Sequence, residues 1–254
     1  MASIYDRSDI YDLFDSPKKD EMTKAHWESV LSGIPVRTAL DVSIGTGSLT
    51  LPLAQLGISL CGSDLSEAML ARCRKKAAAR GLSVDLRQCD FRALRAHFDR
   101  TFDCVMSTGN SLAYVPNDEL TDVLSQMDAL VAPGGALYFD LRNWDKIVQQ
   151  KQRFYFYDPA FLPGGDRVNL MQVWDHHADG SITFHLLYTF ERDGRIFQKE
   201  HFEEHYHPVA RQLLLDQLAA LGYEDVTVRA FPVQFGAFDP EKSNWYCVLA
   251  RKKA

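Results

Sequence analysis

Three short segments carry side chains whose types and order describe a ligand site. The first, Ala39-Leu40-Asp41-Val42-Ser43-Ile44-Gly45-Thr46-Gly47, runs from an apolar stretch into two glycines and then into a helix-forming stretch. Glycines in such a turn let a ligand approach the backbone closely, and the amides that open a helix can receive a carboxylate or phosphate. The second, Gly62-Ser63-Asp64, ends an apolar run in a carboxylate able to accept two hydrogen bonds from a ribose diol. The third, Asp90-Phe91, sets a carboxylate beside an aromatic face, a pairing suited to the amino group and ring of adenine. A glycine turn alone is as often purely structural, and Asp64 or Asp90-Phe91 alone is more often a helix cap or a core residue. Met in this order, at successive strand ends, the three describe a pocket for an adenosine without phosphates.

The spacing separates this ligand from its relatives. A dinucleotide loop needs G-x-G-x-x-G, but Gly45 and Gly47 are followed by Thr50, where a third small residue would let the helix pack over a pyrophosphate. A phosphate-binding loop of the Walker type is excluded too, because no Lys-Ser or Lys-Thr pair follows the glycines.

The elements that must position these residues alternate regularly. Residues 36–42, 58–61, 82–86, 102–106 and 137–139 read as buried strands, the last following the Pro133-Gly134-Gly135 turn. Helices are expected over 49–56, from Ser66 to Arg80, over 118–131 and over 210–221, with further strands over 226–231 and 245–250. Alternation of this kind means a parallel sheet covered on both faces, with its ligand at the carboxyl ends of the strands. Between 145 and 207 the pattern becomes aromatic and strand-like, and 181–191, an Asp193-Gly194 turn and 196–207 read as an antiparallel hairpin. We therefore expect an N-terminal helical lid (1–32, with a helix over 23–31), a core (33–144 and 209–254) and an antiparallel β cap (145–208) able to fold over the fifth strand.

Composition bounds the partners. A 46% hydrophobic share with 15 Phe, 10 Tyr and 4 Trp supports a large core and excludes intrinsic disorder. Twenty-eight Lys+Arg against 34 Asp+Glu give a net charge of −6, without the basic excess that draws nucleic acid or an anionic membrane. With no apolar run of membrane-spanning length, we expect a cytoplasmic protein, with a homo-oligomer possible. The five cysteines form no C-x-x-C pair, which argues for reduced packing residues and against structural zinc.

Taken together, these segments resemble the S-adenosylmethionine-dependent methyltransferases of the Rossmann-like class. Residues 40–47 resemble their first motif, Asp64 their ribose acid and Asp90-Phe91 their adenine motif; Ser43 stands where many members have the first glycine. The resemblance implies an α/β fold with a Rossmann-like, seven-stranded, mostly parallel sheet, an antiparallel β insertion after the fifth strand, and S-adenosylmethionine as cofactor with S-adenosylhomocysteine as product. The cofactor contacts it implies are Tyr11, Asp41, Ser43, Gly45, Gly47, Asp64, Leu65, Asp90, Phe91 and Thr108. A narrower likeness, carried by Thr108-Gly109-Asn110-Ser111-Leu112, by Phe139-Asp140-Leu141-Arg142-Asn143-Trp144-Asp145 and by Tyr206-His207-Pro208, is to the glycine N-methyltransferases. It implies that Asn110 and Arg142 hold an amino-acid-like acceptor, with Tyr157 and Tyr188 beside it. The arginine that animal members carry near the amino terminus has no match, and Lys18, Lys19 and Lys24 are the candidates to replace it.

The expected activity is direct methyl transfer to a small molecule, an amine first and a hydroxyl or heterocycle second, with no certain catalytic residue and no metal. An RNA methyltransferase is the weaker reading, because Thr108-Gly109-Asn110-Ser111 lacks the Pro-Pro-aromatic step used on base amines and no Pro-Cys dipeptide occurs. A non-catalytic cofactor-binding module is the third. Arg142 could equally form a surface salt bridge. Alternation puts His201, Glu203, His205 and His207 on one side of a strand, which we read as a solvated hairpin face; the Arg72-Cys73-Arg74-Lys75-Lys76 run reads as a solvated helix face.

Overall fold

The computed structural model describes residues 3 to 253. Its helices are α1 (Ser8–Tyr11), α2 (Pro17–Val30), α3 (Leu51–Gln55), α4 (Glu67–Ala79), α5 (Leu94–His97), α6 (Leu120–Asp128), α7 (Trp144–Gln150) and α8 (Arg211–Ala220). The strands β1 (Thr38–Asp41), β2 (Ser59–Asp64), β3 (Asp85–Gln88), β4 (Phe102–Ser107) and β5 (Val131–Arg142) pair in parallel. A second group follows: β6 (Phe154–Phe156), β7 (Ala160–Phe161), β8 (Arg167–His176), β9 (Ile182–Arg192) and β10 (Arg195–Tyr206). The chain then returns to the first sheet with β11 (Tyr223–Ala230) and β12 (Trp245–Lys252).

The first sheet has seven strands in the order β11-β12-β5-β4-β1-β2-β3, with β12 antiparallel to both neighbours. The chain reverses its direction of travel across the sheet beside β1, so the crevice between the ends of β1 and β4 is the topological switch point, where such sheets bind ligands. Apolar residues cover both faces: Leu40, Val105 and Phe139 point into one core, Ala39, Met106 and Tyr138 into the other. Period-two alternation in strands buried on both sides makes this possible, and it is why these strands read as continuous apolar runs.

The second sheet is antiparallel, in the order β10-β9-β8-β6 with β7 also on β8. Its inner face, including Trp174, Phe184, Tyr188 and Phe202, joins the same core as Phe139, so the insertion is packed onto the first sheet. The Asp193-Gly194 turn has positive φ at both residues (50° and 72°), the conformation a two-residue hairpin loop needs, and Arg192 faces Arg195 across it.

Two differences from the sequence reading have local causes. β5 begins at Val131, because Pro133-Gly134-Gly135 is absorbed as an irregularity where its register against β4 shifts between Phe102 and Cys104. Residues 145–150, expected to be strand-like, are helical as part of α7: Asn143 caps the first turn through Lys146 N, and Trp144 and Ile147 bury one face. All five cysteines are free and buried. Among the described residues no helix is long and apolar enough to cross a membrane.

Candidate active site

At the switch point lies a cavity of about 670 Å3, within the usual range for small-molecule sites. Its lining comes from successive strand ends: Val42 and Ser43 after β1, Asp64 and Leu65 at the end of β2, and 88–92 at the end of β3. Ser111 and Tyr114 form one wall, and Ser3, Tyr5, Asp6 and Glu204 close the top. Of the residues nominated from sequence, Ser43, Asp64, Leu65, Asp90 and Phe91 line this one space.

Asp41, Gly45, Gly47 and Thr108 form its frame. Asp41 is fully buried; its Oδ2 accepts hydrogen bonds from Thr50 Oγ1 (3.0 Å) and Thr108 Oγ1 (2.8 Å), and its Oδ1 from Ser43 N (3.1 Å). Burial pushes its carboxyl up to about 6, although these donors pull it down. Ser43 Oγ accepts from Thr108 N at 3.0 Å and lies 3.2 Å from Ser107 Oγ. The serine at the first-glycine place therefore ties the β1 loop to the end of β4. Gly47 (φ 79°) admits no side chain, since a Cβ there would stand 2.7 Å from Cys73 Sγ and Leu51 Cγ. Gly45 (φ 54°) would meet no atom within 4 Å, so its requirement is conformational, and its amide donates to Asp64 Oδ2 at 2.9 Å.

Asp64 is held by that amide and by Ser66 N, which donates to Oδ1 at 2.9 Å. Each oxygen spends one lone pair on the backbone and keeps another for a diol; burial raises the carboxyl's pKa. Leu65 is 67% exposed, an apolar side chain at the cavity edge, with Phe91 among the other lining residues. Asp90 accepts from Arg92 N (2.8 Å) and pairs with Arg92 Nη1 (3.1 Å). An adenosine fits this set: apolar faces for the base, a carboxylate for the diol and, among the described residues, no cluster of free cations calling for phosphate. None of Lys18, Lys19 and Lys24 lines the cavity, and Lys19 is taken by Asp15 at 2.8 Å. Tyr11 also lies outside the lining, its ring 5.8 Å from that of Tyr5.

The N-terminal segment is clasped to the glycine loop. Thr46 Oγ1 donates to Asp12 Oδ1 at 2.6 Å and Ser48 Oγ to Asp15 Oδ2 at 2.5 Å. Lys76 Nζ reaches Asp15 (2.7 Å), Asp12 (3.2 Å) and Ser48 (2.6 Å), and Arg72 Nε reaches Asp12 at 2.7 Å. The reading of the Arg72–Lys76 run as a solvated helix face holds for Arg74 and Lys75, which are exposed, and is corrected at Lys76, which is largely buried because Asp12 and Asp15 of the N-terminal segment dock on it. Nearby Lys19 and Lys76 hold the Asp15 carboxyl well below its ordinary value, outweighing its desolvation.

Sequence reasoning missed the group over the cavity. Tyr114 OH lies 3.0 Å from Glu204 Oε2 and 2.8 Å from the hydroxyls of both Tyr5 and Tyr206. One hydroxyl carries one proton, so a Tyr114 that donates to the carboxylate accepts from the other two phenols. Glu204 Oε1 also accepts from Ser3 Oγ (2.7 Å) and Ile4 N (3.0 Å). Burial raises the pKa of Glu204 and that of all three tyrosines, Tyr206 to about 12. The available signal was the β10 alternation, which puts Glu204 and Tyr206 on the same face as buried Phe202.

Arg142 is 6% exposed at the end of β5. Its guanidinium lies 4.8–5.3 Å from the ring centroids of Trp245, Tyr155, Trp174 and Phe184. Nη2 donates to Tyr157 OH (2.9 Å) and Gln172 Oε1 (3.3 Å), and among the described residues it meets no carboxylate. The salt-bridge reading is therefore set aside. Asn110, in the left-handed conformation (φ 68°), accepts on Oδ1 from Arg142 N (3.1 Å) and Trp144 Nε1 (3.0 Å). Tyr188 does not bond to Arg142 but adjoins this group through Phe14, whose ring is 6.3 Å from that of Tyr188 and 5.9 Å from that of Tyr157. Phe184 connects the two regions, 4.6 Å from Tyr206 on one side and over Arg142 on the other.

Comparison with known proteins agrees with this architecture. Residues 39–135 match the model of a methyltransferase domain. The chain is 26% identical over 254 residues to a glycine/sarcosine N-methyltransferase of Parasynechococcus marenigrum (strain WH8102), spanning 98% of this chain and 84% of that relative. A solved S-adenosylmethionine-dependent methyltransferase from Clostridium acetobutylicum ATCC 824 superposes with a TM-score of 0.76 at 19% identity, covering 96% of this chain and 97% of that one. The CcbJ methyltransferase from Streptomyces caelestis gives 0.75 at 22%, covering 99% and 97%. The fold is that of the class I S-adenosylmethionine-dependent methyltransferases.

Proposed function

We propose that this protein transfers a methyl group from S-adenosylmethionine to the nitrogen of a small amine that also bears an acidic group. S-adenosylmethionine is the cofactor and supplies a methyl carbon made electrophilic by its sulfonium. The observation that carries the acceptor assignment is Arg142: a buried guanidinium with only neutral partners among the described residues. A buried cation is costly without an anion, and a planar guanidinium matches a carboxylate in two parallel hydrogen bonds. The named activity of the Parasynechococcus relative, on glycine and sarcosine, supports the same class of acceptor.

In this reading Asp64 takes the ribose diol, Leu65 and Phe91 sandwich the base and Asp90 meets its amino group. Ser43, Gly45 and Gly47, framed by Asp41 and Thr108, cradle the methionine end, with Tyr11, outside the lining, backing Tyr5. Arg142 clamps the acidic group of the acceptor, Tyr157 steadies the guanidinium, and Asn110 fixes the β5 end from which Arg142 projects. Tyr5, Tyr114, Tyr206 and Tyr188 wall the path of the methyl group, where phenol oxygens and ring faces tolerate developing charge. Displacement requires nucleophile, carbon and sulfur nearly in line, so the chief contributions of the site are placement and exclusion of water. The amine enters neutral, having lost its proton to solvent before the covers close. Residues 1–32 and 145–208 serve as those covers. A second cavity of about 420 Å3 shares two walls, Tyr155 and Trp245, with the Arg142 box and offers room for the remainder of an acceptor.

The test is a panel of small amines, with and without a carboxylate or phosphate, incubated with methyl-labelled cofactor. Turnover should be confined to acidic amines, and Arg142→Ala should abolish the discrimination while leaving cofactor affinity intact. Equal turnover of acidic and neutral amines, or an unchanged ratio in the variant, refutes the assignment.

A further inference from the structure

The face of the second sheet turned away from the cavity carries a cluster that methyl transfer leaves unused. His185 on β9 stands opposite Glu203 on β10 in the antiparallel register, and His201 lies two residues along β10 on the same side. His185 Nδ1 is 3.2 Å from His201 Nε2 and 3.1 Å from Glu203 Oε1; His201 Nε2 is 3.9 Å from that same oxygen. Around a tetrahedral zinc with ligand bonds of ~2.0–2.1 Å, ligand atoms stand ~3.3 Å apart. Three atoms on two strands therefore already mark out about one face of such a tetrahedron.

A second observation is independent of that spacing. His185 Nε2 lies 2.9 Å from Asp175 Oδ2 on β8, and Asp175 Oδ1 is in turn held by Arg153 Nη1 at 2.5 Å. A ring that gives its Nε2 proton to Asp175 turns a bare Nδ1 lone pair toward the Glu203 oxygen. His201 Nε2, at 3.2 Å, can donate to that lone pair in one tautomer, but the Glu203 oxygen still stands 3.1 Å from it with no donor between, and two acceptors at that distance repel unless a proton or a cation lies between them. A carboxylate behind a histidine is also how metal-bound imidazoles are oriented and made more basic.

The geometry points to a site for a divalent cation of the zinc class, formed by His185, His201 and Glu203, buttressed by Asp175 and open to solvent at its fourth position. It lies on the outer surface of the cap, so its effect is to pin β9 to β10. The reading of this face as merely solvated rested on β10 alone, whereas the completing ligand comes from the neighbouring strand. His205 belongs elsewhere: its Nδ1 is 3.2 Å from Thr183 Oγ1, and its ring packs edge-on against His207 at 5.2 Å.

The experiment is a calorimetric titration of the tag-free, chelator-stripped chain with zinc chloride, with cobalt absorption reporting coordination geometry and thermal melting reporting stability. We expect one ion per chain, the visible bands of tetrahedral cobalt and a higher melting temperature. Asp175→Asn should weaken binding about 10- to 100-fold, His185→Gln should remove this ion, and His207→Gln should change nothing. Metal-free melting temperatures and cofactor affinity serve as fold controls; should His185→Gln fail them, Glu203→Gln and Asp175→Asn carry the test. No saturable binding by about millimolar zinc, or binding indifferent to His185→Gln, Glu203→Gln and Asp175→Asn, overturns the proposal.

Discussion

Replacing Lys76 with methionine keeps an apolar stem of four heavy atoms and removes the charge at the centre of the clasp between the N-terminal segment and the glycine loop. Asp12 retains Arg72, Asp15 retains Lys19, and the Asp15 side chain is 23% exposed. Removing one partner of a fully buried pair costs about 3–5 kcal/mol; with two cations remaining we set the loss at about 2 kcal/mol, about 30-fold in an equilibrium constant. Because the clasp joins the first lid residues to the glycine loop while Tyr5 and Asp6 wall the cavity, this loss should appear as lid opening. We predict a cofactor Kd raised about 30-fold by calorimetry, with amide exchange accelerated by a similar factor over residues 4–16 and unchanged in β1, β4 and β5. An unchanged Kd with unchanged exchange would refute the reasoning. So would exchange accelerated uniformly along the chain, which would make the clasp a support of the whole fold.

His26 is fully buried; its Nδ1 accepts from Val233 N and its Nε2 lies 2.8 Å from Tyr138 OH. Burial, with a smaller contribution from Arg229, lowers its pKa from 6.5 to about 4, so the unfolded chain binds more protons between those values. The stabilisation is full above pH 6.5 and is lost as pH falls through about 4. The advantage of the wild type over His26→Gln in urea denaturation should therefore shrink by about 3 kcal/mol between pH 7 and pH 4, at about 1.4 kcal/mol per pH unit; a pH-independent gap contradicts this. Tyr114→Phe removes the oxygen on which Tyr5, Tyr206 and Glu204 converge, leaving buried polar groups short of a partner at about 1–3 kcal/mol. Thermal melting should show that loss and single-turnover rates should fall by at least about tenfold, whereas wild-type values in both would show the cluster to be dispensable. Arg142→Lys keeps the charge but not the planar fork, and it should raise KM for an acidic acceptor by at least about tenfold with cofactor Kd unchanged.

The parts of the site legible in the sequence are those that the topology of a parallel sheet compels. Ser43, Asp64, Asp90 and Phe91 lie at or just after strand ends; β1 and β2, buried over most of their length, announce themselves as apolar runs between glycine turns, whereas β3 at the sheet edge is half-exposed and not the buried strand expected over 82–86. Asp12 and Asp15 gave no such signal. Their partner Lys76 is distant in sequence, and the stretch that carries Asp12, residues 8–14, is built from short helical turns with too few residues to show a period. Tyr114 was missed for a similar reason, since it sits in a single 3-10 turn and gains its meaning from Glu204 and Tyr206 on β10. Arg142 was nominated by resemblance, but the aromatic box around it depends on how β6, β8 and β9 pack, which alternation in one strand at a time does not determine.

The central claim is that the cavity beyond β1, β2 and β3 holds S-adenosylmethionine, with Asp64 on its ribose. Isothermal titration of the wild type and Asp64→Asn with S-adenosylmethionine tests it directly. The account predicts one molecule bound per chain and, from the loss of a charged hydrogen-bond acceptor worth about 1.5–3 kcal/mol, affinity lowered about 10- to 150-fold in the variant. An absence of binding by the wild type, or equal affinity in the two proteins, would contradict it.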